Sequence, residues 1–232
     1  MTDYTKFDSS MKDIVNKLKP SSLTTVEEYN KRYQTIYRSG LSLLPDIFKG
    51  TPYRLANFWF STIPPFSKPI KYLEIGILYG ANAISVANSY AKHPDSEIHC
   101  IDPWERYTEE GNDAYENIHE IYDICMQNIK NSGCENKFHI YKDYSYNILP
   151  SFQENTFDMI YIDGNHEQTS VLEDLVLSFR KLKSDGYLIM DDVGWGTASS
   201  GIIAFLNTYE SLMDIVYSDF YQLIIKKKGG KN

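Results

Sequence analysis

The fold is decided by one stretch of the sequence, residues 73–80, which reads LEIGILYG. Apolar residues that end in a glycine predict a buried strand followed by a tight turn, because glycine adopts backbone conformations that other residues avoid. Residues 81–91 then have the apolar spacing of a helix. The free N–H groups where a strand turns into a helix can hold a polar or anionic ligand. The stretch therefore predicts the first unit of an α/β domain, with a ligand site at its turn.

The same alternation of strands and helices continues along the chain. Further strands are predicted at residues 97–101, 138–141, 157–162 and 187–190, helices at 113–130, 146–152, 169–182 and 198–209, and a closing hairpin at 215–217 and 221–225. This order is typical of βαβ units. We therefore expect an α/β fold of three layers, in which a doubly wound, mostly parallel sheet of seven strands ends in an antiparallel hairpin.

The residues before the sheet have a different pattern. Helices are predicted from Thr24 and over residues 52–61, and prolines interrupt the chain at Pro64, Pro65 and Pro69. We therefore place a tail and a small helical extension at residues 1–67 and the main domain at residues 68–232.

Composition argues against several classes of protein. The 232 residues include 31 Asp and Glu against 23 Lys and Arg, and the net charge of -8 argues against a nucleic-acid-binding surface. Three cysteines without a CxxC pair argue against a disulfide framework or a zinc knuckle and favour a reducing compartment. The N-terminus does not have the pattern of a signal peptide, and no apolar run reaches the roughly 18 residues that span a membrane. We expect a cytoplasmic protein.

An acid, Asp102, stands at the end of the second predicted strand. A carboxylate there can accept hydrogen bonds from both ribose hydroxyls of a nucleoside cofactor. The turn departs from the dinucleotide fingerprint, because Leu78 occupies the place of its second glycine. Glu74 disfavours a pyrophosphate and suits the positive amino and sulfonium groups of S-adenosylmethionine. The alternative is that Gly76 and Gly80 serve only the backbone turn.

Acidic residues also follow the fourth and fifth predicted strands, Asp163 after one and Asp191 and Asp192 after the other. If these strands are neighbours, their ends lie about 4.8 Å apart, and three carboxylates in one small volume need a cation. Oxygen ligands without cysteine favour Mg²⁺, with Ca²⁺ or Mn²⁺ as alternatives. His166 is then placed to accept the proton of a substrate hydroxyl. Alternative roles are a turn at Asp163, a cap at Asp191 and Asp192, and a structural His166.

Residues 68–228 resemble the class I S-adenosylmethionine-dependent methyltransferases, whose Rossmann-like fold has the same order of elements. The resemblance rests on the pattern Glu74-x-Gly76-x-x-x-Gly80, on Asp102 and on the terminal hairpin. It implies that the glycine turn holds the methionine part of the cofactor, that the acid after the second strand holds the ribose, and that residues 143–145 lie by the adenine. The residues expected to bind the cofactor are Glu74, Gly76, Tyr79, Gly80, Asp102, Pro103, Asp143, Tyr144, Ser145 and Asp163.

The D-x-x-H pattern of Asp163 and His166, followed by the acid pair 28 residues after Asp163, is similar to the metal-dependent sugar O-methyltransferases of macrolide and aminocoumarin biosynthesis. That similarity implies that Asp163, Asp191 and Asp192 bind Mg²⁺ and that His166 is the catalytic base. Some members carry Glu where this chain has Asp191, which changes the reach of the ligand but not its type. The expected partner is a small hydroxylated substrate, a sugar or a nucleotide sugar.

We therefore expect an O-methyltransferase that depends on S-adenosylmethionine and a divalent metal. The alternatives are a catechol-type or other small-molecule methyltransferase, a nucleotide-dependent oxidoreductase on a similar sheet, and a non-catalytic relative. The aromatic residues Trp104, Tyr107 and Trp195 are interpreted either as a wall for the substrate or as packing. The tyrosines Tyr29, Tyr33 and Tyr37 favour helix packing or a contact between the subunits of a homo-oligomer.

Overall fold

The computed structural model describes residues 49–50, 59, 62–109, 112–114, 118–194, 196–218 and 222–230. The helix predicted from Thr24, most of the one predicted at residues 52–61, the three N-terminal tyrosines and Trp195 lie outside these residues. The helical extension and the domain boundary at residue 68 therefore stay predictions.

The described residues form short strands that alternate with helices. The strands are β1 (Lys71–Ile75), β2 (Glu97–Ile101), β3 (Tyr107–Glu109), β4 (Asn112–Ala114), β5 (Phe138–Tyr141), β6 (Phe157–Ile162), β7 (Leu182–Met190), β8 (Met213–Ser218) and β9 (Leu223–Lys227). The helices are α1 (Ala81–Ala87), α2 (Ile118–Asn131), α3 (Ser145–Ile148), α4 (Gln168–Lys181) and α5 (Gly196–Tyr209), with 3₁₀ turns at Glu135–Lys137, Leu149–Ser151 and Glu210–Leu212.

Seven of these strands form one mixed sheet in the order β5-β2-β1-β6-β7-β9-β8. The pairs β1–β2, β2–β5 and β6–β7 are parallel, whereas β9 runs antiparallel to both β7 and β8. The expected fold class, a mostly parallel α/β sheet of the Rossmann-like type with an antiparallel terminal hairpin, is confirmed.

The chain divides into two units, one that includes described residues 49–148 and one that includes described residues 149–230. In the first unit, the successive residues Tyr72 and Leu73 of β1 are both fully buried. In the second, the same holds for Met159 and Ile160 of β6. Neighbouring strand residues point to opposite faces, so burial of both indicates strands that are covered on each face, as in α/β proteins.

Two predicted elements show the largest differences in their bounds. The helix predicted at residues 113–130 begins only at Ile118, and residues 112–114 form β4, paired antiparallel with β3. The prediction was wrong there because the buried apolar spacing that specifies the helix starts at Ile118 and continues at Ile121 and Cys125. Strand β7 begins at Leu182 instead of residue 187, through an irregular stretch that contains Asp185 at φ +63°.

All three cysteines, Cys100, Cys125 and Cys134, are free and buried. Among the described residues, no helix combines the length and the apolar character that a membrane crossing requires.

Candidate active site

The turn between β1 and α1 is built on two glycines in the left-handed backbone region. Gly76 has φ +82° and Gly80 has φ +83°. A Cβ atom at Gly80 would also lie 3.2 Å from the Sγ atom of Cys125, a distance that forces the neighbour to move. Both the backbone conformation and the available space therefore favour glycine at position 80.

Asp102 braces this turn from the end of β2. Its Oδ2 atom accepts a hydrogen bond from the Leu78 N–H at 3.0 Å, and its Oδ1 atom accepts one from the Trp104 N–H at 2.8 Å. Burial raises the pKa of the Asp102 carboxyl, while these backbone N–H groups oppose the shift. Asp102 therefore links the glycine turn to the loop that follows β2.

Leu78 and Trp104 share an uncommon backbone conformation, with φ +50° and +45°. The Nε1 atom of Trp104 donates to the Leu78 carbonyl at 3.0 Å, and the indole is fully buried. Its ring packs edge-to-face on Tyr122, with centroids 5.0 Å apart. Trp104 is therefore a packing residue, the second of the two interpretations given above, and it does not form an exposed wall for a substrate.

Glu74 is 1% exposed and lies in a buried network of polar side chains. Its Oε2 atom accepts hydrogen bonds from the Tyr72 hydroxyl at 2.6 Å and from the Asn82 Nδ2 atom at 3.1 Å. The carboxylate is thus held in one orientation on the strand that leads into the glycine turn. Sequence inspection did not identify Tyr72 and Asn82 as its partners.

The segment from the end of β5 into α3 carries two stacked, exposed tyrosines. Tyr144 and Tyr146 are 38% and 47% exposed, and their ring centroids are 5.2 Å apart. Asp143 accepts hydrogen bonds from Asn147 and from the Tyr144 N–H, which lower its pKa. An ordered aromatic surface therefore lies in the segment expected to be near the adenine.

The parallel pairing of β6 and β7 brings acidic residues from two strand ends together. Ile162 and Met190, the last residues of these strands, are paired. Beyond them, the Nε2 atom of His166 lies 2.8 Å from Asp192 Oδ2 and 3.8 Å from Asp163 Oδ1. One ligand atom from each of these three residues lies within 4.8 Å of the others. We call Asp163, His166 and Asp192 the carboxylate cluster.

Asp191, the third predicted ligand, faces a different partner. Its Oδ2 atom accepts a short hydrogen bond from the Tyr161 hydroxyl, and its Oδ1 atom accepts one from the Asp192 N–H at 3.0 Å. The Tyr161 hydroxyl is also 3.2 Å from Asp163 Oδ2. Tyr161 was missed by the sequence analysis, although residues two apart on a strand share a face and Tyr161 and Asp163 are so spaced.

Electrostatics in the cluster reflect concentrated negative charge. Burial, together with the charge of Asp192, raises the pKa of Asp163 to about 6 against the opposing hydrogen bond of His166. Burial and the two neighbouring acids raise the pKa of Asp191 well above its usual range. Burial alone lowers the pKa of His166, but hydrogen bonds to Asp163 and Asp192 outweigh it and raise the value to about 11. The cluster therefore favours an added positive charge.

The cluster lines a small cleft within residues 162–202. Val171, Leu175 and Ile202 form part of its apolar wall. Asp192 is held at φ +53°, a strained conformation of the kind that concentrates at functional sites. Oxygen and imidazole donors without sulfur, together with the raised carboxyl pKa values, fit a hard divalent ion such as Mg²⁺ or Mn²⁺.

Comparisons with known proteins were made for the whole chain. A family model described as a methyltransferase domain matches residues 73–193, more than half of the sequence. A search of curated proteins gave no significant match.

Several solved structures share the fold. The chain is 13% identical to the O-methyltransferase NovP, with a TM-score of 0.56 over 69% of this chain and 73% of that one. It is 17% identical to the O-methyltransferase TomG from Streptomyces achromogenes in complex with SAM, with a TM-score of 0.51 over 99% and 100% of the two chains. It is 13% identical to an O-methyltransferase from Bacillus cereus in complex with SAH, with a TM-score of 0.51 over 96% and 91%. Identities this low support the fold alone.

Proposed function

This chain belongs to the family of methyltransferase domains and is therefore a methyltransferase, and we propose that it is an O-methyltransferase dependent on S-adenosylmethionine and a divalent metal. Its substrate in this proposal is a small polyol, a sugar or a nucleotide sugar. The observation that carries the proposal is the carboxylate cluster, in which an imidazole lies between two carboxylates in a cleft. The family supports methyl transfer over the oxidoreductase alternative.

The residues after β1, β2 and β5 are the proposed cofactor site. S-adenosylmethionine, the cofactor named in the TomG complex, would supply an electrophilic methyl group. Gly76 and Gly80 would allow the backbone to approach the methionine part. Asp102 would accept the ribose hydroxyls, and the fixed Glu74 carboxylate would attract the positive charge of the amino and sulfonium groups.

The residues proposed to hold the metal are Asp163, Asp191 and Asp192. When bound, a divalent ion would supply Lewis acidity that lowers the pKa of a hydroxyl, an effect that takes water from 15.7 to about 7. Tyr161 would orient two of the three carboxylates, because its hydroxyl contacts both Asp163 and Asp191. Asp192 would be positioned by its own strained backbone.

His166 is the proposed base, and its protonation state depends on its acidic neighbours. Hydrogen bonds and negative charge from Asp163 and Asp192 hold its pKa at about 11, so its ring is protonated while both carboxylates keep their charge. Neutralisation of those carboxylates removes the causes that raise the pKa, and burial then lowers it. A neutral ring could accept the proton of a substrate hydroxyl at Nε2 and leave an alkoxide to attack the methyl group.

The proposal places the enzyme in the cytoplasm, with a small-molecule partner and without a nucleic-acid or membrane substrate. The net charge of -8 supports the exclusion of nucleic acid. A catechol-type acceptor is the alternative that the same cluster would accommodate. That the protein forms a homo-oligomer stays a prediction.

The test is methyl transfer from S-adenosylmethionine to a panel of nucleotide sugars, free sugars and catechols, followed by mass spectrometry with and without Mg²⁺. We expect product only with Mg²⁺ and mainly from the sugar set. Product from catechols alone would move the assignment to the catechol class, and transfer at full rate without any divalent ion would refute the metal-dependent mechanism.

A matched pair of variants controls this test. Asp192→Asn removes a charged proposed ligand, and we expect transfer to fall by at least about 100-fold, because loss of an outer partner of a ligand alone costs about 10- to 100-fold. Asp185→Asn is the control, because Asp185 is also an aspartate with positive φ, +63°, but lies outside the cluster. Equal loss in both variants would show a general effect of the substitution and not a role of the cluster.

A further inference from the structure

A second group of potential metal ligands lies on the sheet of the first unit, apart from the residues assigned to methyl transfer. Glu97 and His99 are two residues apart on β2, and His139 is the partner of His99 on the adjacent strand β5. Residues so arranged share one face of a sheet. One ligand atom from each of the three residues lies within 4.8 Å of the others. We call this group the imidazole cluster.

The two imidazoles lie near the same carboxylate oxygen. Their rings are stacked, with centroids 4.6 Å apart and planes at 15°. The Nε2 atoms of His99 and His139 lie 3.0 and 3.9 Å from Glu97 Oε2. Ligand atoms bound tetrahedrally to one ion at 2.0–2.1 Å would be roughly 3.4 Å apart. The observed separations lie on either side of that value. Binding to one ion would also require the rings to rotate out of their near-parallel stack, because the lone pair of each Nε2 atom lies in the plane of its own ring.

An outer hydrogen bond also favours ligation by His99. The Nδ1 atom of His99 is 3.1 Å from the Tyr141 hydroxyl. When Nε2 of a histidine binds a metal, Nδ1 carries the proton and needs an acceptor, and a hydroxyl oxygen can serve as one. Tyr141 would therefore fix the tautomer and the ring orientation that a metal requires.

We propose that Glu97, His99 and His139 bind a divalent transition ion of the Zn²⁺ class. Two imidazoles and one carboxylate suit Zn²⁺, whereas Mg²⁺ prefers oxygen ligands, so this site would differ in metal from the carboxylate cluster. The His99 side chain is 9% exposed, but His139 and Glu97 are 46% and 34% exposed, which gives the ion access from solvent and leaves room for water as the fourth ligand.

Lys71 would compete with a bound metal for the Glu97 carboxylate. Its Nζ atom lies 2.9 Å from the same Glu97 oxygen that both histidines face. A bound dication would have to displace this ammonium group or tolerate its repulsion. Removal of the lysine charge should therefore strengthen metal binding, whereas removal of a ligand should weaken it.

The experiment is calorimetric titration of the full-length, metal-free protein with Zn²⁺, and separately with Mg²⁺. We expect His139→Ala to lose one equivalent of bound Zn²⁺, or to weaken that equivalent by more than the 10- to 100-fold that loss of an outer partner costs. Tyr141→Phe should weaken it by about 10- to 100-fold. Lys71→Met should bind the same equivalent severalfold more tightly. Mg²⁺ binding should be the same in all three variants.

The controls separate this site from the carboxylate cluster and from a folding defect. His119→Ala removes an exposed histidine outside both clusters and should bind Zn²⁺ as the original chain does. Glu97→Gln leaves His99 and its packing in place, so a loss of Zn²⁺ in this variant cannot be ascribed to a missing buried ring. Unchanged Zn²⁺ stoichiometry and affinity in His139→Ala and Glu97→Gln, with loss only in Asp163→Asn, would overturn the proposal of a second site. The proposed methyltransferase function would not be contradicted by that result.

Discussion

At the scale of single residues, the chemistry of the carboxylate cluster depends on which groups carry protons. His166 lies between two acids. The pKa of Asp163 is raised to about 6, and perturbed pKa values of this kind cluster at functional sites. Both side chains are only partly exposed, 15% for His166 and 32% for Asp163. Their charge states are therefore coupled to each other and to any cation that binds between them.

His166→Ala tests whether this residue is the base or a third metal ligand. For a base, we expect kcat to fall by about 10²- to 10⁴-fold while the Kd for Mg²⁺ stays the same, since the carboxylates still hold the ion. His119→Ala should change neither quantity. A large increase in the Kd for Mg²⁺, with kcat recovered at saturating metal, would assign His166 to the ligand set instead.

The raised pKa of Asp163 predicts a pH-dependent stability of the metal-free protein. Its folded value of about 6 lies above the ordinary 3.8, so the folded state binds this proton more tightly than the unfolded state does. The stability that the proton contributes is complete below about pH 3.8 and is lost as the pH rises through about 6. We expect the Tm of the original chain, measured in EDTA relative to Asp163→Asn, to decrease by at least about 2 °C across this window. An increase of this Tm difference with rising pH would mean that folding lowers the pKa of Asp163, and the prediction would be wrong.

The residue types of the cluster could be predicted from the sequence, but their exact partners could not. Asp163 and Asp192 follow adjacent strands, and strand adjacency follows from the βαβ order. The bridging role of Tyr161 depends on side-chain rotamers at the strand ends, which no spacing rule specifies. The same is true of Trp104, whose burial is set by the positive φ of its loop and by Asp102.

At the scale of elements, the glycine turn and helix α2 are packed against each other. Gly80 at the start of α1 touches the region of Cys125 in α2. The Asn128 side chain of the same helix donates hydrogen bonds to the carbonyls of Lys49 and Tyr79, both at 2.9 Å. Helix α2 therefore holds the segment that contains the proposed cofactor turn.

Gly80→Ala should destabilise the protein through two separable costs. Gly133 is the control, because its φ of +73° is similar but nothing lies within 4 Å of a Cβ atom there. Gly133→Ala should cost about 1–2 kcal/mol, the price of the left-handed backbone alone, and Gly80→Ala should cost more. Urea unfolding measures both. If contact with Cys125 causes the excess, Cys125→Ala should abolish the difference, and additivity of the two substitutions would argue against that contact.

The extent of the elements was less predictable than their order. The hydrophobic patterns indicated each strand of the main sheet, because buried strands need continuous apolar residues. They did not indicate β3 or β4, since a three-residue strand has too few side chains to show a period of two. Side-chain contacts of the last strand were not predictable either. The Nζ atom of Lys227 in β9 donates hydrogen bonds to the carbonyls of Phe179 and Leu182 at 2.9 and 2.7 Å.

At the scale of the whole molecule, the proposed cofactor residues and the proposed metal ligands occupy different units of the chain. With the exception of Asp163, the residues expected to bind S-adenosylmethionine fall within 74–145, in the first unit, whereas the metal ligands fall within 163–192, in the second. Hydrogen bonds from residues 72–104 brace Glu74 and Asp102. The first unit therefore supplies contacts that fix the cofactor turn.

This division predicts that metal removal will affect catalysis and cofactor binding differently. In excess EDTA we expect methyl transfer to be lost, because the acidic ligands then repel one another and His166 keeps its proton. The Kd for S-adenosylmethionine, measured by calorimetry, should change by less than about tenfold, which is about 1.4 kcal/mol. Addition of Mg²⁺ alone should restore transfer, which also excludes the imidazole cluster as the source of the effect. If EDTA instead abolishes cofactor binding, the cofactor depends on the metal, and the expected difference between catalysis and cofactor binding is wrong.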